Sequence, residues 1–199
     1  LMKTTTMTQT VTKKPKTTPK PKTVIPSVDS LPPNPFQHEI LELTCAQRTR
    51  PKKIEVLQKY QNDALISLFI WNYDQSVISL LPEGEVPYSS AKDIVPGNDT
   101  LSKAIEKQID DKMIDATGAN QRTSLQNEYD KFYNFIKGGN DTLSSIRRET
   151  IFIQLLEGLH PKEAEIVCLV KDKKLTSKYN LPFDLIQEAY PFIVWGGRS

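Results

Sequence analysis

Only two cysteines and two histidines occur in the 199 residues, too few for a disulfide scaffold or a Cys/His metal cluster. Cys45 and Cys168 each sit in an apolar helical pattern, which reads as reduced thiols acting as small hydrophobes. His38 and His160 lie far apart, and no group of His, Cys, Asp and Glu has metal-ligand spacing, so the residues offer neither a metal site nor a cofactor site. The eight glycines form no P-loop and no dinucleotide fingerprint. No apolar run approaches the roughly 18 residues that span a bilayer, and the Thr-rich start lacks the apolar core of a signal peptide. An intracellular protein without a membrane partner is the expectation. Without positioned acid, base or metal groups, nothing points to an enzyme or to a small-molecule substrate.

What is present is unevenly distributed. The net charge of +2 hides six Lys and one Asp in residues 1–30, a balance of +5, against 20 basic and 23 acidic residues in the remainder, a balance of −3. Residues 1–35 hold nine Thr and seven Pro. Such a stretch buries too little apolar surface to offset ordering entropy and reads as a disordered tail with polyproline character. Its lysines, Lys13, Lys14, Lys16, Lys20 and Lys22, are candidate phosphate contacts through charge alone, without sequence readout. A solubilising linker is the plainer reading. Residues 36–195 then form one domain, and 196–199 a short C-terminal end.

Within that domain the apolar spacing is helical throughout. His38 to Thr49 carries Ile40, Leu41 and Leu43. Pro51 opens a second helix with Ile54, Leu57 and Tyr60, and Asn62-Asp63 caps a third with Leu65, Leu68 and Phe69. Asp74 interrupts the apolar stretch from Ala64 to Leu81. A two-stranded reading of Leu65–Ile70 and Ser76–Leu80 is weaker, for want of a hairpin turn. Leu81-Pro-Glu-Gly-Glu-Val-Pro-Tyr88 and the residues to Gly97 are irregular. Asp99 to Met113 is a moderately amphipathic helix, followed by a polar flank to Ser124. Leu125 to Lys137 places Tyr129, Phe132, Tyr133 and Ile136 on one side of a further helix, a stripe that reads as core rather than as a base-stacking platform.

The chain is organised around a helical hairpin over residues 143–172. Ile151, Phe152, Ile153, Leu155, Leu156 and Leu159 cover more than half the circumference of its first helix at about 100° per residue. Gly158 fits a left-handed C-terminal cap, and His160-Pro161-Lys162-Glu163 restarts the helix with Pro in the first turn and a carboxylate near the positive end. Asn140-Asp-Thr142 also reads as a capping element. Arg148 falls inside the apolar arc, and Glu149 leans toward Ile153 and Leu156. The two are a candidate partner site or a buried ion pair, with Arg148 held by a carboxylate from another helix. A last short helix, Asn180 to Tyr190, ends at Pro191; Phe192 to Trp195 read as packing against the bundle, with Phe192 and Trp195 as a candidate docking terminus in the alternative.

Leu81-Pro-Glu-Gly84, Phe135-Ile-Lys-Gly-Gly139, Arg148-Glu149, Phe152-Ile-Gln-Leu-Leu-Glu157, Leu159-His-Pro161 and Val170-Lys-Asp-Lys-Lys-Leu175 together resemble an uncharacterised protein family of tailed bacteriophages, chiefly T4-like myophages. Leu185-Ile-Gln-Glu-Ala-Tyr-Pro191 is similar too. The resemblance spans roughly residues 37–194 and implies a phage origin and a helical fold, but no catalytic residues. The expectation is an all-α, compact bundle of short helices around the central hairpin, acting as a non-enzymatic phage interaction or structural protein. Its partner would be another phage or host protein, in the host cytoplasm during infection or on the virion. The alternative is a nucleic-acid-associated accessory protein of phage replication, transcription or packaging that uses the basic tail.

Overall fold

A computed structural model of the chain describes residues 19–88 and 123–198. Among these residues there are seven α-helices, two short 3₁₀ helices and no strand, so the fold is all-α as its spacing indicated. The expected Asp99–Met113 helix, the polar stretch after it as far as Arg122, the loop beyond Tyr88, and tail residues 1–18 with Lys13, Lys14 and Lys16 lie outside the described residues.

Helices α1 (Gln37–Ala46), α2 (Arg50–Lys59) and α3 (Asp63–Tyr73) follow one another through tight turns. Each start has a local cause. The Glu39 carboxylate accepts from the Phe36 N–H at 3.1 Å, Pro51 occupies the first turn of α2, and Asn62 Oδ1 accepts from the Leu65 N–H at 2.9 Å. Asp74 ends α3. The segment after it pairs not with Leu65–Ile70, which is helical, but with the far side of the domain: Leu80 N–H donates to Phe135 O and Lys137 N–H to Ile78 O, both at 2.8 Å.

The expected helix from Leu125 to Lys137 is two elements, α4 (Leu125–Glu128) and a 3₁₀ helix over Tyr129–Phe135. At three residues per turn, Tyr129, Phe132 and Phe135 align. The tighter winding drives Phe135 to full burial and leaves Tyr133 half exposed at 50%, so a stripe expected in the core is split between core and surface. Gly138 at φ +85° and Gly139 then reverse the chain, and a Cβ on Gly139 would lie 1.9 Å from the Tyr133 carbonyl oxygen. Only glycine fits that approach.

The hairpin consists of α5 (Ser145–Gly158) and α6 (Pro161–Lys171). Ser144, rather than Asn140 to Thr142, caps α5 by accepting from the Arg147 N–H at 3.2 Å. Gly158 does not adopt the expected positive φ; it is the last helical residue, and Leu159 leaves the helix in an extended conformation. Its role is proximity: the Thr123 N–H donates to Gly158 O at 2.8 Å, and a Cβ at Gly158 would meet the Thr123 methyl at 3.4 Å. The more enclosed partner is α6, which packs on α1, α3 and α5, while α5 exposes Ile146 to solvent. A second 3₁₀ turn (Leu175–Ser177) and α7 (Phe183–Ala189) follow, with α7 packed on α2.

Packing begins before the compositional boundary at residue 35. Val28 is buried, its carbonyl accepts from the Tyr60 hydroxyl at 2.7 Å, and Gln47 Nε2 donates to Pro26 O at 3.0 Å. Isolated apolar residues such as Val28 are invisible to an averaged composition. At the other end, Gly196 N–H donates to Asp74 Oδ2 at 2.9 Å, so the chain stays attached past Trp195. Leu156 is 1% exposed in the interface between α5 and the rest of the bundle. Leu156→Ala is expected to cost about 2–5 kcal/mol by leaving a cavity. Urea denaturation measures this, and a loss below about 0.5 kcal/mol, the scale of surface substitutions, would show that α5 contributes little to the core.

Candidate functional site

The residues singled out from the sequence do not converge on one place. Lys20 and Lys22 are exposed. Arg148 is buried at 6% exposure, whereas its neighbour Glu149 faces out, at the edge of a cleft of about 100 Å³ bordered by Pro82, Val86 and Ile153. Phe192 is 57% exposed, and Trp195, partly buried, meets Phe183 edge to face at 4.9 Å.

No carboxylate pairs with Arg148 among the described residues, which corrects the expected ion pair. Its Nε donates to Asn134 O at 2.9 Å, and Nη2 to Asn140 O and Leu143 O, both at 3.1 Å. The acceptors are main-chain carbonyl oxygens at the exit of the 3₁₀ helix and in the turn before α5. A planar guanidinium can grip several acceptors at fixed angles. Arg148 therefore clamps the Gly138-Gly139 reversal.

A second cation does the same to another loop. The Lys171 side chain is fully buried, with Nζ donating to Pro82 O at 2.7 Å, Gly84 O at 3.2 Å and Asp172 Oδ1 at 2.6 Å. Asp172 Oδ2 accepts in turn from the Gly84 N–H at 3.1 Å, and Gly84 holds φ +101°. The Leu81-Pro-Glu-Gly84 and Val170-Lys-Asp172 motifs are thus two sides of one contact.

Glu163 is a carboxylate in the first turn of α6, as the sequence indicates, and it is completely buried. Oε2 accepts from the Gln37 N–H at 2.9 Å and Oε1 from the Leu125 N–H at 3.1 Å, the first residues of α1 and α4. Three helix N-termini therefore meet at one carboxyl group. Burial pushes its pKa from 4.5 to about 7, against those two hydrogen bonds and with Glu39 adding repulsion. Beside it His38 and His160 stack at 4.6 Å, under Phe36. Burial, then the nearby His160, Lys162 and Lys178, lower His38 to about 3. The missed signal was spacing: Glu163, Val167, Val170 and Lys171 lie at i, i+4, i+7 and i+8, one face of one helix.

Two surfaces remain for function. The first is the C-terminal segment. Asp74 is buried and accepts from Gly196 N–H, from Ser76 and from Arg198 Nη1 at 2.5 Å. Ile193 is buried. Between these fixed points Phe192 and Val194, the latter 75% exposed, project outward. The second surface is a groove of about 320 Å³ between α3 and the 3₁₀ helix, walled by Ile70, Trp71, Tyr129, Phe132 and Tyr133 and lined also by Arg198.

Among the described residues no group of three or more His, Cys, Asp or Glu could hold a metal ion, and no helix is long and apolar enough to cross a membrane. The architecture defines a helical domain with buried charges bracing its loops and apolar residues held at its surface. The chain belongs to a family of unknown function, DUF6433, which matches residues 40–110 and 106–177. No curated protein and no solved structure matches the chain.

Arg148→Met keeps the apolar stem but removes three hydrogen bonds to main-chain carbonyls, and should destabilise the domain by about 2–4 kcal/mol. Urea denaturation and faster hydrogen exchange over residues 136–143 would register it, while a loss within about 0.5 kcal/mol would show that the clamp is dispensable. Glu163 and His38 make opposite pH contributions. A carboxyl raised from 4.5 to about 7 takes up a proton on folding, so its contribution is fully present below about 4.5 and is lost as pH rises through 7. A His lowered from 6.5 to about 3 releases a proton on folding, so its contribution is present above about 6.5 and is lost as pH falls toward 3. Between pH 4.5 and 6.5 the two slopes oppose, each at up to ~1.4 kcal/mol per pH unit. Glu163→Gln removes one of them. Its stability deficit against the parent chain should be larger at pH 5 than at pH 8, read from urea midpoints. A deficit that grows toward pH 8 would mean that the hydrogen bonds and helix N-termini outweigh burial.

Proposed function

We propose that this protein is a non-enzymatic interaction component, and that its C-terminal segment is the docking surface. The observation that carries this is the fixed exposure of Phe192 and Val194. Exposed apolar side chains on a loose end would collapse or cost ordering entropy on binding. Here the segment is pinned by buried Ile193 and by Gly196 and Arg198 on Asp74, so little freedom remains to be lost when a partner arrives. Phe183 and Trp195 extend the apolar area. The motif resemblance to tailed-phage proteins supports a phage origin, with another phage or host protein as the partner and a place in the host cytoplasm or on the virion.

A second reading is supported by Lys20 and Lys22, both exposed and without an ion-pair partner among the described residues. In that reading the tail contacts nucleic acid by charge alone, and affinity falls steeply with salt.

The test compares the parent chain with a Phe192→Ser, Val194→Ser variant during infection, using mass spectrometry of purified virions and of complexes recovered from the infected-cell lysate. A discrete partner or virion association that is lost in the variant, with unfolding midpoints unchanged, is the expected result. Undiminished association would remove the C-terminal segment as the docking surface. Salt-sensitive DNA binding that disappears on deleting residues 1–22, with no protein partner, would favour the second reading.

A further inference from the structure

We infer that the groove between α3 and the 3₁₀ helix is a docking site for a lysine- and proline-bearing extended segment, and that its occupant is this chain's own Val11-Thr-Lys-Lys-Pro-Lys-Thr-Thr18. This groove is separate from the docking surface of Phe192 and Val194, and the inference does not rest on it.

The groove's walls are aromatic but chemically quiet. Trp71, buried at the floor with Phe132 5.2 Å away, donates its indole N–H to Ser79 Oγ at 2.8 Å, so it adds no polar handle and the accessible aromatic surface is that of Tyr129 and Tyr133. Tyr133 is half exposed on the opposite wall. Aromatic-lined grooves of this kind accept pyrrolidine rings and extended backbone, which is how polyproline segments are recognised.

The charges at the rim select a cation. Arg198 lines the groove, but Asp74 neutralises it at 2.5 Å, and Lys131 pairs with Glu128. Asp130 lines the groove, is exposed, and has no ion-pair partner among the described residues. Asp63 stands outside the lining but next to it, its Oδ2 3.5 Å from the hydroxyl of the groove residue Tyr129. Two carboxylates beside tyrosine rings attract ammonium groups both by charge and by ring quadrupole. Lys13, Lys14 and Lys16 around Pro15 supply them.

Reach favours the same chain over a separate one. The tail is anchored where Val28 O meets the Tyr60 hydroxyl, and Tyr60 lies only three residues before Asp63, whose carboxylate reaches the groove residue Tyr129. Pro19 to Ile25 are exposed and act as the tether. At about 3.1 Å per residue in an extended form, that tether covers the length of a three-turn helix. Tethering also gives the segment an effective concentration in roughly the millimolar range, enough to populate a weak contact. A docked segment would hide its lysines from polyanions, so groove and polyanion compete for it.

The full-length chain with a photo-cross-linking residue at Tyr133 tests this. Mass spectrometry is expected to find intramolecular cross-links to residues 11–18. Their yield should fall several-fold with Asp130→Lys, and separately with Pro15→Ala. Asp130 is exposed, so its replacement leaves the fold intact. Added heparin should lower the yield as well. The inference is overturned by cross-links that map elsewhere in the chain, by cross-links to residues 11–18 of a second copy in a mixed ¹⁴N/¹⁵N sample, by a yield indifferent to both substitutions, or by capture of a different protein at Tyr133.

Discussion

The bundle depends on one carboxyl group that is wholly buried. Glu163 belongs to α6, yet its two oxygens cap α1 and α4. Without that carboxyl, two helix starts would hold unsatisfied N–H groups in the core. Burial makes the charged form expensive, while the converging N–H groups favour it. The result is a group that holds three helices in register across more than 120 residues of sequence and feels the pH of its surroundings through them. The stacked His38 and His160 complete a polar cluster inside an otherwise apolar interior.

Around that centre, the loops are held by cations as well as by side chains such as Leu81 and Val86 that pack on the core. Lys171 fixes the Leu81–Gly84 turn and Arg148 the Gly138–Gly139 turn. Lys173 extends the pattern: it ends α6 at φ +56°, a left-handed conformation costly for a residue with a Cβ, and its Nζ donates to Trp71 O and Asp74 O at 2.6 and 2.8 Å. With the frame braced in this way, apolar side chains such as Phe192, Val194 and Tyr133 stay at the surface without collapsing into it.

Much of this was legible in the residues. Apolar spacing placed α1 to α3 and the α5–α6 hairpin, because each carries a periodic face and a start marked by a capping side chain or by proline. It failed where the period itself changed: at Tyr129–Phe135 a 3₁₀ winding replaces the α-helix, and no single apolar stripe announces a pitch of three. It also failed for buried charge. Glu163 and Lys171 lie on the apolar face of α6, but a charged residue there signals only that a partner exists, not which one. Arg148 was correctly placed inside and wrongly partnered, because backbone carbonyls leave no mark in a sequence. The surfaces offered for function were half legible: Phe192 stood out, whereas Tyr133 and Asp130 came together only once the 3₁₀ helix turned them toward α3.

The grip of Arg148 on Asn134, Asn140 and Leu143 is made entirely to main-chain oxygens. Such a clamp recognises a path and is blind to the side chains along it. Apart from the two glycines that permit the reversal, and Asn140 and Asp141, whose side chains bond Asn134 Oδ1 and the Gly138 N–H, the loop between Ile136 and Ser144 is free to change its residues over evolutionary time, provided that its length and course are kept. Variation there, next to an unchanging arginine, would be the historical trace of a contact that reads shape alone.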